Sequence, residues 1–226
     1  MTTRTYGQFC GLARALDLVG ERWALLVIRD LVLGPKRFTD LQRTLPKIPM
    51  SLLSARLNEL EQSGVIRRRV LPQLDAGVVY ELTEYGSELD QIVLDLGLWG
   101  ARSLGHPAPG EILTLDSAIL SLYTTFRADN AGGVHIAYEI RHQNGVVVHA
   151  LIDNGTLKAG EGSHPGADLV VAPTGPGFID LLSGRLTAAD AIRSGKVRIE
   201  GEAGHLELFT KLFHIPAPPT PSEGIG

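Results

Sequence analysis

The segment "SLLSARLNELEQSGVIRRR", Ser51–Arg69, constrains the fold of this chain more than any other part of the sequence. Its first part predicts an amphipathic helix, because Leu53, Leu57 and Leu60 fall on one side at helical spacing. A Ser-Gly pair then ends the helix, and a short β-type run leads into the arginines Arg67–Arg69. Two interpretations are open: a core helix followed by a solvated charge run, or a helix that reads DNA beside a basic wing.

The outward side of this helix favours the second interpretation. It carries Ser51, Ser54, Ala55 and Asn58, and it has no acidic residue at its centre. Small polar side chains let a helix approach base edges and phosphates closely, and asparagine can bond adenine in the major groove. A single short amphipathic helix is more often a packing element, so the order of the neighbouring elements decides between the two interpretations.

That order is typical of a winged helix-turn-helix. Apolar spacing predicts one helix over Ala13–Leu33, a second over Arg37–Leu45 and a third over Met50–Gln62, with Met50 on the core side. The runs "VIRRRVLP" and "GVVYELT" then predict a β-hairpin, and "TEYG" opens a long amphipathic helix that ends near Ser103. In a winged helix-turn-helix the second helix of the motif lies in the major groove and the hairpin reaches the flanking backbone.

Composition divides the chain at "GHPAPGE", Gly105–Glu111, which is a helix-stopping linker. We expect a DNA-binding and dimerisation domain at 1–106, a second domain at 107–215 and an unstructured tail at 216–226. Residues 1–107 carry 13 Lys and Arg against 12 Asp and Glu, whereas 108–226 carry 8 against 13. The near-neutral first part does not by itself indicate nucleic-acid binding.

The bulk composition is that of a globular protein, with 44% hydrophobic and 20% charged residues among 226. No apolar run is long enough to span a bilayer, and the N-terminus does not have the pattern of a signal peptide. Cys10 is the single cysteine, so an intrachain disulfide is excluded. We expect a cytoplasmic protein that does not bind membranes.

The sequence of the second part predicts strands mixed with short helices. The predicted fold class of the whole chain is therefore α/β (α+β), with a winged helix-turn-helix domain followed by an α+β domain. An Asn-Gly turn inside "GGVHIAYEIRHQNGVVVHALID" predicts a hairpin. Further elements are predicted as strands at Leu169–Ala172 and Lys196–Glu200 and as helices at Phe178–Leu182, from Thr187 onward and at Leu206–Phe213.

This part shows no motif of catalysis or metal binding. All seven histidines lie at or after position 106, and none is spaced as a metal ligand. Asp180 and Glu200 are predicted to be surface or cap residues. We therefore expect no enzyme activity, no cofactor and no metal.

Residues 10–102 resemble the HxlR family of winged-helix regulators in "GPKRFTDL", "LSARLNELEQSGVI" and "YELTEYG", which occur in the family's order. The resemblance implies a homodimer that binds inverted-repeat operators and more often represses than activates. It implies pairing of the N-terminal segment and the helix near residues 86–103 across a two-fold axis. It also implies DNA contacts from the positioning helix (Lys36, Arg37, Thr39), the recognition helix (Ser51, Ser54, Ala55, Arg56, Asn58) and the wing (Arg67, Arg68, Arg69, Gln73).

The roles of Arg56 and Cys10 leave alternatives open. Arg56 lies toward the core side of its helix, so it either contacts DNA or bridges inward to Glu59 or Glu84. Cys10 occupies the position at which some regulators of this family carry a thiol that senses oxidants or electrophiles. Arg14, one turn along, would lower the pKa of such a thiol. The alternative is a small buried residue at the dimer interface.

The segment "LLSGRLTAADAIRSGKVRIEGE" resembles the sterol carrier protein type 2-like domain. The resemblance implies a sheet with helices that enclose an apolar tunnel, and a sealed core is the alternative. The candidate pocket residues are Phe178, Leu181, Leu182, Leu208, Leu212 and Phe213. Three functions remain: a DNA-binding regulator with a hydrophobic effector, a regulator switched at Cys10, and a carrier of lipid-like ligands whose N-terminal half mainly dimerises.

Overall fold

A computed structural model describes residues 5–71 and 77–217 of the chain. The chain forms two units, Met1–Val93 and Leu94–Gly226, each with its own set of internal contacts. The domain limits expected from the sequence, 1–106, 107–215 and a tail at 216–226, stay a prediction.

The apolar spacing over Ala13–Leu33 belongs to two helices, so the prediction of one long helix is wrong. Helix α1 spans Gly11–Val19 and helix α2 spans Ala24–Val32. Between them Trp23 adopts a φ of 81°, in the left-handed region, which interrupts a right-handed helix. Gly20, a poor helix former, caps α1 just before this break.

The next two helices agree with the sequence prediction. Helix α3 spans Phe38–Thr44, and helix α4 spans Met50–Gln62. A buried ion pair supports the first of them, because Asp30 accepts a hydrogen bond from the Thr44 hydroxyl at 2.6 Å and pairs with Arg29 at 2.7 Å. The core that these helices share with α2 includes Val27, Ile28, Leu31, Leu41, Leu53, Leu57 and Leu60.

The predicted hairpin is present and carries a third strand. Strand β1 is Lys36–Arg37, β2 is Ile66–Val70 and β3 is Val78–Leu82. They form an antiparallel sheet in the order β1-β3-β2. The short strand β1 therefore ties the residues that precede α3 to the wing.

Thr83 joins the wing to the end of α4. Its backbone amide donates to the Val65 carbonyl at 3.0 Å, and its hydroxyl donates to the Gly64 carbonyl at 2.6 Å. The same hydroxyl accepts a hydrogen bond from the Gly86 amide at 3.0 Å, which caps the helix that follows. The "TEYG" sequence thus begins a helix, as predicted.

The helix that Thr83 caps does not run unbroken to Ser103, which corrects the prediction. Helix α5 spans Glu84–Ser87 and helix α6 spans Leu89–Ala101, with Glu88 between them outside both helices. The apolar pattern continues across this break, and periodicity alone therefore predicts one helix.

The second unit is a mixed sheet with helices, in agreement with the predicted α+β class. Helix α7, Leu115–Thr125, precedes a short 3₁₀ helix at Ala128–Asn130. The strands are β4 His135–Arg141, β5 Val147–Asp153, β6 Thr156–Glu161, β7 Leu169–Pro173 and β8 Val197–Gly201. The remaining helices are α8 Gly177–Leu182, α9 Ala188–Arg193 and α10 Ala203–Leu212.

The strand order of this sheet is β6-β5-β4-β7-β8, and β4 and β7 are its parallel pair. The predicted Asn-Gly hairpin is β4–β5, with Gly145 at a φ of 84°. Strand β6 and helix α7 are additions to the sequence prediction. Thr187 caps α9 by accepting a hydrogen bond from the Asp190 amide at 3.1 Å, as expected.

Gly86 packs so closely against the wing that a methyl group has no room there. A Cβ at this position would lie 2.0 Å from the Val65 carbonyl oxygen. We expect Gly86→Ala to lower the free energy of unfolding of the first unit by about 1–3 kcal/mol, because α5 must shift away from the start of the wing. Urea unfolding together with hydrogen exchange of the β2 and β3 amides measures this effect.

The matched control is Gly11→Ala in helix α1 of the same unit, where an added Cβ meets nothing within 4 Å. Alanine at an open helical position is expected to leave stability unchanged or to raise it by up to about 1 kcal/mol. Equal effects of the two substitutions would contradict the close contact at Gly86.

Candidate nucleic-acid interface

Helix α4 presents the outward face that the sequence predicts. Leu53, Leu57 and Leu60 are buried on its core side. The side chains on the opposite side are exposed or half-buried, and they are Ser51, Ser54, Ala55 and Asn58. Met50 is 59% exposed, so its predicted place in the core is wrong. The helix begins at Met50 directly after Pro49, so Met50 lies at the exposed start of the helix, ahead of the first core residue, Leu53.

Arg56 lies between the two faces and forms ion pairs with two carboxylates. Its guanidinium pairs with Glu59 one turn along and with Glu21 at 3.6 Å, and only 11% of its side chain is exposed. Of the two inward partners considered from the sequence, the structure has Glu59. The pairing with Glu21 was not predicted, because it joins α4 to the segment between α1 and α2. DNA contact by Arg56 stays a prediction.

The basic residues before α3 belong to a strand. Lys36 and Arg37 form β1 opposite Tyr80 and Val79, and Arg37 is also the N-cap residue of α3, in agreement with its predicted place at the start of the positioning helix. Pairing with β3 holds their backbone extended, and the helix begins only at Phe38. Thr39 lies in the first turn of α3 and is exposed, as is Arg37.

The wing arginines alternate between the two sides of β2. Arg67 and Arg69 lie on one side and share Glu81, at 2.8 Å and 2.9 Å respectively. Arg68 lies on the other side and pairs with Glu61 of α4 at 2.6 Å. The three side chains remain 46–65% exposed. Gln73, the fourth predicted wing residue, lies outside the described residues.

The two carboxylates that pair with the wing arginines, Glu81 and Glu61, are ionised at neutral pH. The hydrogen bond from Arg69 lowers the pKa of Glu81 below its ordinary value against partial burial, and Arg67 adds to this effect. The hydrogen bond from Arg68 lowers the pKa of Glu61 in the same way. Glu61 and Glu81 were missed as site residues. The hairpin register, which places Arg67 opposite Glu81, is the signal that could have found one of them.

Cys10 is exposed at the N-terminal cap of α1. The backbone amides of Ala13 and Leu12 lower the pKa of its thiol below the ordinary value. The predicted source of this effect was Arg14, but the Arg14 guanidinium lies toward Asp17 at 4.0 Å. In the single chain the thiol is therefore accessible.

The predicted pocket residues of the second unit lie in or beside an aromatic core. Leu181, Leu182, Leu212 and Phe213 are buried, whereas Phe178 and Leu208 are half-buried. The ring centroid of Phe209 lies 4.6 Å from that of Phe213, 5.0 Å from that of Tyr138 and 5.9 Å from that of Phe178. Ligand binding among these residues stays a prediction.

Asp180 is buried, so its predicted place at the surface is wrong. Its carboxylate lies 3.0 Å from Arg185, 3.4 Å from His106 and 3.6 Å from Lys196. Burial by itself raises the pKa of Asp180, but the hydrogen bonds from Arg185 and His106 outweigh it and hold the pKa below its ordinary value. Glu200 is a surface residue, as predicted, and pairs with Arg141 at 3.0 Å.

The described part of the chain contains no group of three or more His, Cys, Asp or Glu side chains placed to hold a metal ion. None of its helices is both long and apolar enough to cross a membrane.

Comparison with known proteins assigns the two parts of the chain separately. Residues 18–107 match the family model of the HxlR-like helix-turn-helix. Residues 113–219 match the model of the alkyl sulfatase C-terminal domain. The second match carries a different name from the sterol carrier resemblance, and the sheet with helices seen in this unit is the α+β architecture which that resemblance implied.

Curated relatives cover the first part of the chain. The HTH-type transcriptional regulator YodB of Bacillus subtilis is 41% identical over 85 residues, which are 38% of this chain and 76% of that protein. The uncharacterized HTH-type transcriptional regulator YtcD of the same organism is 35% identical over 106 residues, which are 47% of this chain and 84% of that protein. Among solved structures, the redox regulator HypR in its oxidized form covers 42% of this chain and 99% of its own, with 34% identity and a TM-score of 0.41.

A relative of which three quarters is matched at this identity shares the family and not merely one motif. With its exposed α4 face and its arginine wing in the predicted order, the chain belongs to the HxlR-like helix-turn-helix family.

Proposed function

We propose that this protein is a DNA-binding transcriptional regulator that binds an inverted-repeat operator as a homodimer and represses the adjacent promoter. The observation that carries the proposal is the exposed, uncharged face of α4 beside an exposed arginine wing, in a chain of the HxlR-like family. A helix of this kind fits the major groove, and the wing fits the flanking phosphates.

Within this proposal the predicted site residues divide into two roles. Asn58 and the serines of α4 reach base edges, because their side chains are exposed on the outward face. The arginines of the wing, with Lys36, Arg37 and Thr39 before and within α3, contact the backbone and contribute affinity that depends on salt. Ala55 allows close approach, and Arg56 positions α4 through Glu21 and Glu59.

The proposed dimer is supported by apolar side chains that the single chain leaves exposed. In α6, Ile92, Leu96 and Trp99 follow helical spacing and are 56%, 46% and 70% exposed. In the N-terminal segment, Phe9 is fully exposed and Leu12 is 69% exposed. Exposed apolar residues grouped in this way are typical of an interface between protein chains.

For the second unit we propose a sensing role, in which a hydrophobic small molecule binds beside the aromatic core and alters the spacing of the two α4 helices through α6. The half-buried Phe178 and Leu208 are its candidate contacts. Such a ligand acts only if it binds one arrangement of the dimer better than the other. The proposal includes no catalytic step.

A switch at Cys10 is the second candidate function. It is favoured by the exposure of the thiol in the single chain and by the amides of Leu12 and Ala13, which lower its pKa and raise its thiolate fraction. A carrier of lipid-like ligands with a merely dimerising N-terminal half is the third, and DNA binding discriminates against it.

DNA binding is tested with the full chain on duplexes selected from a random pool and by genome-wide mapping of its sites. We expect Asn58→Ala to weaken binding to the selected duplex by about 1–3 kcal/mol and to relax base preference at one position. Replacing Arg67, Arg68 and Arg69 with Ala is expected to lower the affinity for all duplexes by the same factor, whatever their sequence. It should also reduce the slope of log K against log salt by up to about 0.9 for each phosphate that is no longer neutralised.

The matched control for the triple variant replaces three exposed cations of the second unit, Lys158, Arg193 and Arg198, with Ala. It is expected to bind as the unmodified chain does. A blank genome-wide map and no duplex binding would reject the regulator and favour the carrier.

The dimer is tested by placing a charge in the exposed stripe of α6. We expect Ile92→Lys to raise the dimer dissociation constant at least about tenfold, because an unpaired ammonium becomes buried twice in each dimer. Sedimentation equilibrium measures the constant. Ile112→Lys is the matched control, because Ile112 is 61% exposed and lies outside α6 and the N-terminal segment. Equal effects of the two substitutions would refute the proposed interface.

The Cys10 switch is tested by the response of DNA binding to hydrogen peroxide. We expect Cys10→Ser to abolish the response, because Cys10 is the single cysteine. A Gln8→Cys, Cys10→Ser variant moves the thiol to a position before the helix, away from the amides that favour the thiolate. Its oxidation by hydrogen peroxide is therefore expected to be slower. An unchanged response in Cys10→Ser would exclude this switch.

A further inference from the structure

Two carboxylates pair with the three guanidinium groups of the wing, one from Glu81 of β3 and one from Glu61 of α4. Arg67 Nε lies 2.8 Å from Glu81 Oε1, and Arg69 Nε and Nη2 each lie 2.9 Å from Glu81 Oε2. Arg68 forms a two-pronged contact with Glu61, at 2.8 Å from Nε to Oε1 and 2.6 Å from Nη2 to Oε2. Each arginine of the wing therefore has a carboxylate within the same unit.

The hairpin register explains why these pairs form. Glu81 stands directly opposite Arg67 in the antiparallel ladder, and Arg69 is two residues further along on the same side. Arg68 points to the other side, where the last turn of α4 presents Glu61. The recognition helix and the wing are thus joined by one ion pair, and the strands of the wing are joined by two.

Burial differs between the two kinds of side chain. The carboxylate side chains are 12% exposed at Glu81 and 28% exposed at Glu61, whereas the arginines are 46–65% exposed. The carboxylates lie beneath the guanidinium groups, which remain open to solvent. The wing therefore presents arginine donors to a partner, but the three arginines and the two glutamates that pair with them together carry one net positive charge instead of three.

We propose that Glu81 and Glu61 are specificity-determining residues that neutralise the wing arginines from within and thereby limit binding to DNA of any sequence. This inference rests on the proposed function, because it assumes that the wing meets a phosphate backbone. Sequence-independent affinity comes from cations that displace counterions from phosphates. An arginine already paired with a carboxylate displaces fewer of them, and the internal carboxylate also repels the phosphates.

The small, uncharged face of α4 makes this restraint necessary. Ser51, Ser54, Ala55 and Asn58 can form only a few short contacts with bases, so the increase in affinity on an operator is modest. If the three arginines were not paired, the protein would bind non-operator DNA tightly. The many non-operator sites of a genome would then outcompete the operator despite its modestly higher affinity. Glu61 and Glu81 lower the sequence-independent part of the affinity and leave the base contacts unchanged.

The test uses the full chain with Glu61→Gln and Glu81→Gln, singly and together, and a labelled duplex of random sequence titrated across a range of KCl concentrations. We expect the double variant to bind this duplex at least about tenfold more tightly at low salt. We also expect a salt slope steeper by up to about 0.9 for each arginine released. Affinity for the selected operator should rise less than affinity for the random duplex, so that the specificity ratio falls.

Two controls separate this effect from a structural one. Glu200→Gln with Glu207→Gln removes two exposed carboxylates of the second unit and is expected to leave the salt slope unchanged. Glu81→Asp retains the negative charge and should retain the shallow slope. The melting temperature should change little in all variants, because the arginine of each pair is open to solvent and such pairs contribute little to stability.

Tighter binding with a steeper slope in the double variant supports the inference. An unchanged slope, or weaker binding, would overturn it and would indicate that the carboxylates only orient the arginines. In either of those outcomes DNA binding by the unmodified chain leaves the proposed function intact. Absence of duplex binding in the unmodified chain and in all variants would overturn both.

Discussion

The first unit of this protein depends on the close contact between the end of α4 and the start of α5. Thr83 donates hydrogen bonds to the carbonyls of Gly64 and Val65, and Gly86 approaches Val65 so closely that no side chain fits. Because the wing strands begin and end at this contact, it fixes the angle between α4 and the wing. The proposed function requires this angle, because α4 and the wing must meet bases and phosphates at the same time.

Charge is used inside both units to hold segments that apolar packing alone would leave loose. Asp30 is fully buried in the first unit and is satisfied by Arg29 and Thr44. Asp180 is buried in the second unit, where Arg185 and Lys196 surround it. A buried carboxylate costs free energy unless it is paired, so these contacts are demanding in geometry and specify one arrangement of the chain around them.

Elements with strong periodicity or strong turn signals could be predicted from the sequence, and side-chain pairing across elements could not. The limits of α4 and the Asn-Gly hairpin followed from leucine spacing and from turn chemistry. The break at Trp23 escaped prediction because the apolar pattern continues through it, and its cause is a backbone angle. The pairing of Arg56 with Glu21, and of Arg68 with Glu61, depends on how separate segments pack, which a linear pattern does not contain.

The outward face of α4 has a further consequence for how such a protein changes over evolutionary time. Ser51 and Ser54 are exposed and separate from the leucines that hold the helix in the core. Larger side chains at these positions would extend into solvent without disturbing the packing, so they are expected to be tolerated at little cost in stability. Under the proposed function, new base preferences are therefore accessible by single substitutions, and related chains with the same fold can diverge in the DNA sites that they recognise.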